Sequence, residues 1–223
     1  ISLGLVGSEM CIRDRRKRVA KLLARASKKA YIIGSIRKDF MLGVEIPTPE
    51  QKPIEIFTLD EIPKIFAAIN ESPVLRRHYP LVALALASGA RMGEMLALTP
   101  GDIYTDAIVI NKALVEIQGK VSLQPPKTQA GYRRITLPAY IISMLQQLAS
   151  LRQHDQFLFL NTQGNPCCSS NVGRAWRSII KHAGIPYRKF HCLRHTHATM
   201  MLAAHVPVLE VAKRLGHSKA SHT

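Results

Sequence analysis

The first residue that could do chemistry is Arg91, in the segment SGARMGE of residues 88–94. Arg91 follows a glycine break and opens a predicted helix. A guanidinium beside a helix N-terminus suits a phosphate group, because both donate hydrogen bonds and both carry positive charge. Glu94 lies one turn further on, where it could hold the arginine in place. The same spacing also fits an ordinary surface ion pair between residues i and i+3, so both interpretations stay open for this segment alone.

A second candidate is Lys127, in the turn PPKT of residues 125–128 between two predicted strands. A lysine at the tip of a hairpin can reach into a neighbouring groove. A solvated turn lysine is the more common case, so the turn by itself does not distinguish a functional lysine from a structural one.

The third candidate segment is HCLRHTH at residues 191–197. His191 and Arg194 are three residues apart, so at the start of a helix they share a face and could both donate to one anion. His217 follows the next predicted helix in the sequence LGH. The i,i+4 pair His191 and His195 also allows a metal site, but it lacks the acidic residue of H-E-x-x-H and no cysteine pair completes it. We therefore expect no metal ion and no other cofactor, and we assign most of the remaining histidines to packing or to the surface.

The overall composition favours a polyanionic partner. The 223 residues include 31 Lys and Arg but 15 Asp and Glu, which gives a net charge of +16. Such an excess is typical of nucleic-acid binding, although it also occurs in merely basic proteins. No apolar run reaches the length of a membrane span, so we expect no membrane partner. The four cysteines form no C-x-x-C pair, which predicts a reducing, cytoplasmic location.

These motifs are positioned by a fold predicted to be mainly α with a small antiparallel β-sheet. Thr58 and Glu61 have the spacing of a helix capping box, and an apolar helix face follows them. The stretch 78–88 is too hydrophobic for a surface helix, and Gly89 ends it. Periodicity and breakers predict further helices at 92–98, 139–151, 171–183, 192–204 and 207–215, and strands at 107–112, 113–117, 120–123 and 133–137.

The chain divides into four segments. Residues 5–15 resemble a translated sequencing-library adapter, so we expect residues 1–15 to be non-native and to contribute nothing to the fold. Residues 16–46 carry a basic helix predicted over 16–40, and they are too short to fold alone. Three prolines make residues 47–56 an extended linker. Residues 57–223 hold the motifs and form the main domain.

Taken in order, G-A-R-x-G-E, P-K-T, H-x-L-R-H and L-G-H resemble the motif pattern of the tyrosine recombinases, the family of the phage integrases. The match runs from about Phe57 to the end of the chain. Each motif alone is weak, but four in this order are specific. The resemblance implies the tyrosine recombinase catalytic-domain fold for residues 57–223, incomplete at the C-terminus, and the end of a helical core-binding domain for residues 16–46.

In that family two arginines, a hairpin lysine, two histidines and a tyrosine surround one DNA phosphate. By position, Arg91 and Arg194 would clamp the phosphate and Lys127 would protonate the leaving 5′-oxygen. His191 and His217 would assist proton transfer, and Glu94 would support the site. Additional DNA contacts are expected from Arg133, Arg188, Lys189 and Lys219.

The resemblance implies site-specific DNA recombination or integration through a 3′-phosphotyrosine, with double-stranded DNA as partner and a homo-tetramer on DNA for the full-length protein. The family's tyrosine follows the position of His217 by about nine residues. Since the sequence stops at Thr223, we expect this chain to lack the nucleophile and to be inactive in cleavage. A non-catalytic DNA-binding remnant, a type IB topoisomerase-like enzyme and a zinc protein remain as alternatives.

Overall fold

The structure is a computed structural model that describes residues 5–44, 53–117, 120–126 and 128–216, with side chains from residue 19 onward. It separates into two compact units, residues 1–53 and residues 54–223. The division falls inside the proline-rich segment 47–56.

In residues 5–44, the described part of the first unit, one long helix is followed by turns. Helix α1 spans Leu5–Ile32, so it includes residues 5–15, to which the sequence analysis assigned no element. It also ends earlier than the predicted residue 40. Gly34 has φ of 74° and ends the helix, with Ser35 N–H donating to the Ala30 carbonyl at 2.9 Å. The prediction ran too far because a glycine in the left-handed conformation terminates the helix regardless of the basic residues beyond it.

The second unit is mainly helical. Thr58 N–H donates to Glu61 Oε2 at 2.9 Å and Glu61 N–H donates to Thr58 Oγ1 at 3.3 Å, which confirms the predicted capping box. The helices of this unit are α2 Glu61–Glu71, α3 Pro73–Arg76, α4 Tyr79–Ser88, α5 Met92–Leu96, α6 Ala139–Ser150, α7 Ser169–His182, α8 Cys192–Ala203 and α9 Val208–Leu215. Short 3-10 turns lie at Pro100–Asp102 and Gln129–Gly131.

The strands form two separate antiparallel ladders in the described residues, where the sequence predicted one sheet. Strand β1 (Ala107–Ile110) pairs with β4 (Arg133–Thr136), and β2 (Ala113–Ile117) pairs with β3 (Lys120–Gln124). The break between β1 and β2 has a visible cause in Asp102. The side chains of Asn111 and Lys112 bind the two Asp102 carboxylate oxygens at 3.2 and 2.7 Å, which draws the chain out of the ladder.

Helix α4 lies in the core of the second unit. Its residues Leu81, Val82, Leu84 and Ala85 are all buried, as their unbroken hydrophobicity predicted. The helix packs against α6 and α8. Because α8 carries the HCLRHTH motif and α4 ends at the SGARMGE motif, this packing brings two of the three candidate segments together.

A strained residue terminates α8. His205 has φ of 60°, and it is the one non-glycine residue with positive φ in the described residues. His205 N–H donates to Leu202 O and Val206 N–H donates to Met201 O, both at 3.0 Å, which is the Schellman arrangement that normally favours glycine. His205→Gly should therefore raise the free energy of unfolding by about 0.5–1 kcal/mol in a urea titration. His205→Ala keeps the β-carbon and should give no gain. An equal gain in both variants would attribute the effect to the imidazole.

Candidate functional site

The turn between α4 and α5 sets the position of Arg91. Gly89 ends α4 with φ of 62°, in the left-handed region. A β-carbon at Gly89 would stand 2.5 Å from Cδ2 of His197, so the position requires glycine for both conformation and space. The turn then directs Ala90 and Arg91 to the start of α5.

Arg91 and Glu94 bind each other at the N-terminus of α5. Arg91 N–H donates to Glu94 Oε2 at 2.8 Å, and Arg91 Nη1 donates to Glu94 Oε1 at 2.9 Å. The Arg91 side chain is 46% exposed, whereas that of Glu94 is 7% exposed. The pair is therefore not the solvated surface ion pair that the spacing also allowed. The Glu94 carboxylate is buried, and the Arg91 guanidinium that it binds is half-exposed.

Arg133, on β4, lies beneath this pair. Its Nη2 donates to Glu94 Oε2 at 2.7 Å and its Nη1 to Glu94 Oε1 at 3.2 Å, and its side chain is 6% exposed. The remaining nitrogen, Nε, donates to the carbonyl of Arg214 at 2.7 Å, and Nη1 also donates to the Gly131 carbonyl at 3.1 Å. We expected Arg133 to contact DNA, but the structure uses all three of its nitrogens inside the protein. In this arrangement Arg133 holds the Glu94 carboxylate, which in turn binds Arg91.

The carboxyl group of Glu94 is held in its charged form. Burial raises the pKa of Glu94, but the hydrogen bonds and charge of Arg133, together with the hydrogen bonds from Arg91, outweigh this effect. The net result is a pKa below the ordinary value. Glu94 thus carries a negative charge between two guanidinium groups at neutral pH.

Arg194, on α8, lies near Arg91 and Glu94. Its side chain is buried, with Nη1 donating to the Gly89 carbonyl and Nη2 to the Leu215 carbonyl, both at 2.8 Å. Burial and the nearby charge of Arg91 lower the pKa of Arg194 to about 10, so the group stays charged at neutral pH. Arg91 and Arg194 therefore form a pair of neighbouring cations, the arginine pocket, at the C-terminal end of α4.

Three arginines converge on the C-terminal end of α9. Arg133 donates to the carbonyl of Arg214 at 2.7 Å, Arg194 to that of Leu215 at 2.8 Å, and Arg91 to that of Gly216 at 3.5 Å. The carbonyl end of a helix carries a partial negative charge, which these cations offset. The convergence fixes the backbone immediately before residue 217 against the arginine pocket.

His191 stands at the N-cap position of α8, next to this pocket. Its ring meets that of His195 edge to face, with centroids 4.9 Å apart. The residue is exposed as a whole, but partial burial of the ring lowers its pKa to about 4, and the charges of His195, Arg194 and Arg91 act in the same direction. The imidazole is therefore neutral near pH 7 and can accept a proton.

Three predicted site residues, Lys127, His217 and Lys219, lie outside the described residues. The neighbours of the first two nevertheless meet. A β-carbon on Gly216 would stand 3.0 Å from the Ala130 carbonyl and 2.9 Å from Arg133 Nη1. The turn that follows Lys127 thus lies against the residue that precedes His217.

The other two predicted DNA contacts have different surroundings. Arg188 Nη1 binds both carboxylate oxygens of Glu61, at 2.8 and 2.9 Å, and its guanidinium lies over the Phe57 ring at 5.2 Å. Lys189 is exposed. Of this pair, Lys189 has the more accessible charge, while Arg188 ties α2 to the loop before α8.

Sequence reasoning missed a connection between His197 and Arg214. His197 Nδ1 lies 2.8 Å from the Leu86 carbonyl, and its Nε2 accepts from Arg214 Nε at 3.1 Å. Arg214 Nη2 also donates to the Ala87 and Thr136 carbonyls, at 3.0 and 2.9 Å. These contacts fasten α9 to α4, α8 and β4 directly behind the Gly89 turn. The sequence analysis left His197 among the histidines of which most were expected at packing or surface positions, and its spacing from Arg214 carries no recognisable signal.

The buried imidazole of His197 predicts a pH dependence of stability. Burial, and then the charge of Arg214, lower its pKa from 6.5 to about 4. The unfolded chain therefore takes up a proton between these values that the folded chain does not, so stability present above pH 6.5 is lost as the pH falls to 4. His197→Gln should reduce the slope of unfolding free energy against pH in this window by up to about 1.4 kcal/mol per pH unit.

The control for this pH experiment is His154→Gln, which removes an exposed imidazole. Urea titrations at several pH values measure both variants. An unchanged slope in His197→Gln would show that the pKa of His197 is the same in the folded and the unfolded chain.

Two negative findings apply to the described part of the chain. It contains no group of three or more His, Cys, Asp or Glu side chains placed to hold a metal ion. None of its helices combines the length and the apolar character needed to cross a membrane.

Comparison with known proteins places these features in a family. The model of the phage integrase family matches residues 55–223. A tyrosine recombinase XerC-like protein of Caldanaerobacter subterraneus subsp. tengcongensis is 31% identical over 204 residues, covering 79% of this chain and 51% of that protein. The integrase of Mycobacterium phage L5 is 25% identical over 185 residues, covering 78% and 48%. The chain thus spans about half the length of these relatives.

Solved structures agree on the fold. The Tn1549 transposon integrase in complex with a circular intermediate DNA superposes with a TM-score of 0.83 at 21% identity, covering 92% of this chain and 72% of that one. A lambda integrase dimer bound to a COC′ core site gives a TM-score of 0.64 at 19% identity, covering 93% and 73%. The predicted fold class is confirmed. The chain belongs to the phage integrase family, and its second unit has the tyrosine recombinase catalytic-domain fold.

Proposed function

We propose that this chain carries the phosphate-binding part of the catalytic domain of a site-specific recombinase or integrase and that it binds one phosphodiester between Arg91 and Arg194. The observation that carries the proposal is their convergence. Arg194 is fixed to the Gly89 and Leu215 carbonyls, while the half-exposed Arg91 is braced by Glu94. Family membership supports the same assignment.

This arrangement suits the electrostatics of phosphoryl transfer. A DNA phosphodiester carries one negative charge, and its five-coordinate transition state carries more. Cations fixed in advance stabilise that extra charge without reorganising during the reaction. Arg133 and Glu94 supply the rigidity, since they hold Arg91 from below through buried contacts.

The proposed reaction is a transfer to tyrosine. A tyrosine hydroxyl attacks phosphorus, the bond to the 5′-oxygen breaks, and the 5′-oxygen takes a proton as a 3′-phosphotyrosine forms. We assign Lys127 as the acid for the 5′-oxygen, and His191 and His217 to proton transfer and phosphate binding. His191 is neutral near pH 7, so one nitrogen of its ring can accept a hydrogen bond from the tyrosine hydroxyl. Rejoining reverses these steps without an energy cofactor.

We further propose that the attacking tyrosine is not among the six tyrosines of this sequence. Tyr79 packs against Phe66 with ring centroids 5.1 Å apart, and Tyr104 lies under Arg134. Within the described residues, no tyrosine hydroxyl is hydrogen-bonded to Arg91 or Arg194. We also propose that the longer protein acts as a homo-tetramer on double-stranded DNA.

Covalent trapping tests this function. The chain as given should bind an attachment-site duplex but form no adduct. The longer protein, with its native downstream residues, should give a protein–DNA adduct that survives a denaturing gel. An adduct from the chain as given would identify an internal nucleophile. Failure of the longer protein would indicate a non-catalytic remnant, and relaxation of supercoils without a specific site would indicate a topoisomerase.

DNA binding should be strongly salt-dependent and independent of metal ions. Each lysine or arginine that neutralises a phosphate releases counterions, so six to ten such contacts would lower affinity by about 10³-fold or more between 50 and 200 mM salt. Fluorescence anisotropy at several salt concentrations, with and without a chelator, measures this. Loss of binding on chelation would support the zinc alternative.

A further inference from the structure

A second group of cations lies at the opposite end of α4 from the Arg91–Arg194 pocket. Helix α4 has ten residues, so its two ends are about 15 Å apart. At its first turn there is a pocket of about 250 Å³. Arg76, Arg77, His78 and Arg152 contribute the polar part of its wall.

The three arginines of this second pocket have no acidic partner in the described residues. Arg76 Nη2 donates to the Asn70 carbonyl and Arg77 Nη2 to the Leu160 carbonyl, both at 2.6 Å. Arg152 donates through Nε to the Leu158 carbonyl at 3.3 Å. Main-chain carbonyls orient a guanidinium but do not neutralise its charge. Arg91, Arg133, Arg134 and Arg188 differ in this respect, because each pairs with a carboxylate.

The charge of Arg77 affects the pKa of His78, which also lines the pocket. The pKa of His78 lies below its ordinary value, first because the ring is partly buried and second because of the charge of Arg77. Three uncompensated cations around one cavity repel one another, and an anion placed between them would relieve that repulsion. Each guanidinium also has N–H donors beyond the one or two that the carbonyls use.

The floor of the pocket is apolar. Its apolar lining residues are Pro80, Leu81, Leu148, Leu158 and Phe159, of which Pro80 and Leu148 are partly exposed and the other three are buried. An apolar floor with a few convergent polar groups is the usual form of a small-molecule site, and planar guanidinium groups match the oxygens of a phosphate. The volume lies just below the range that encloses drug-sized ligands, so a ligand of nucleotide size would be enclosed only in part.

We propose that this pocket binds a small organic phosphate of the size of a nucleoside monophosphate. The phosphate lies between Arg77 and Arg152, with Arg76 at the edge, and the ring lies on the apolar floor. The site is built entirely within the second unit. It does not depend on the function proposed for the Arg91–Arg194 pocket.

Calorimetric titration with adenosine 5′-monophosphate tests the site, with adenosine and inorganic phosphate as partial ligands. The complete ligand should bind more tightly than either part. Arg77→Gln and Arg152→Gln should each weaken binding about tenfold or more, whereas Arg152→Lys should weaken it less. Arg177→Gln removes an exposed arginine of α7 that does not line the pocket, so it should leave binding unchanged.

Two further measurements separate this site from DNA binding. Arg91→Ala should leave the affinity for the monophosphate unchanged, and Arg77→Gln should leave the affinity for duplex DNA unchanged. Circular dichroism spectra verify that each variant is folded. The proposal is overturned if a folded wild-type chain shows no binding, if Arg77→Gln and Arg152→Gln bind as the wild type does, or if they lose DNA affinity to the same extent.

Discussion

Replacing Arg91 by alanine is expected to slow DNA strand cleavage by the longer protein a few hundredfold. This factor corresponds to a loss of about 3–4 kcal/mol of transition-state stabilisation. The reason is that a fixed cation at the proposed phosphate site would be lost. The side chain is 46% exposed, so its removal leaves the packed core intact. Duplex binding should fall far less, because many other basic side chains hold the DNA backbone. Single-turnover adduct formation measures the rate, and anisotropy measures binding.

The matched control for Arg91→Ala is Arg134→Ala. Arg134 is also half-exposed and also pairs with a carboxylate, that of Asp106, but it lies on β4 over the Tyr104 ring. This control removes the same charge without touching the pocket, so cleavage should stay within a few-fold of wild type. Equal losses in both variants would mean that only the overall positive charge matters, and the assignment of Arg91 to the phosphate would fail.

Replacing Glu94 by alanine is expected to lower the free energy of unfolding by about 3–5 kcal/mol. The carboxylate is the only acidic partner of Arg133 in the described part of the chain, and the Arg133 side chain is 6% exposed. Removing one member of a buried ion pair leaves the other charge buried and uncompensated, which is the costly case. A urea titration near pH 7 measures the change.

The pH dependence gives a second test of Glu94. Its pKa lies below the ordinary value of 4.5, so the stability that it contributes is present above pH 4.5 and is lost as the pH falls through the lowered pKa. The difference between wild type and Glu94→Ala should therefore shrink in strong acid. Glu210→Ala is the control, since the exposed pair Glu210–Lys213 should contribute less than about 1 kcal/mol. A loss as small as that of the control would contradict the burial of the Glu94 pair.

The helices could be predicted from the sequence because local signals specify them. Thr58 and Glu61 form the expected cap, and Gly89 and Gly216 end their helices in the left-handed conformation at φ of 62° and 69°. Strand pairing could not be predicted in the same way. Ile108 pairs with Ile135 across a long insertion, while Asp102 separates β1 from β2 through side-chain contacts that no local pattern reveals.

The same distinction applies to the candidate site. Residues that belong to a local motif could be predicted, and residues joined by contacts between distant segments could not. The motifs around Arg91 and Arg194 could be recognised because a glycine break or a helix start stands beside each. The burial of Arg133 could not be recognised, since its partner Glu94 is 39 residues away and an arginine in a strand looks exposed when read alone. His197 and Arg214 were missed for a related reason. Their hydrogen bond joins two helices, and neither side chain belongs to a motif that predicts the other.

The three arginine contacts at the end of α9 also have a consequence for the order of folding. Arg91 and Gly216 are separated by 125 residues, Arg133 and Arg214 by 81, and Arg194 and Leu215 by 21. A ribosome makes the chain from its N-terminus at about 5–20 residues per second, so all three arginines emerge before the carbonyls that receive them. Contacts between distant residues also close slowly, because the loop between them loses entropy. We therefore expect the arginines to take their final positions only after α9 has been synthesised and has docked.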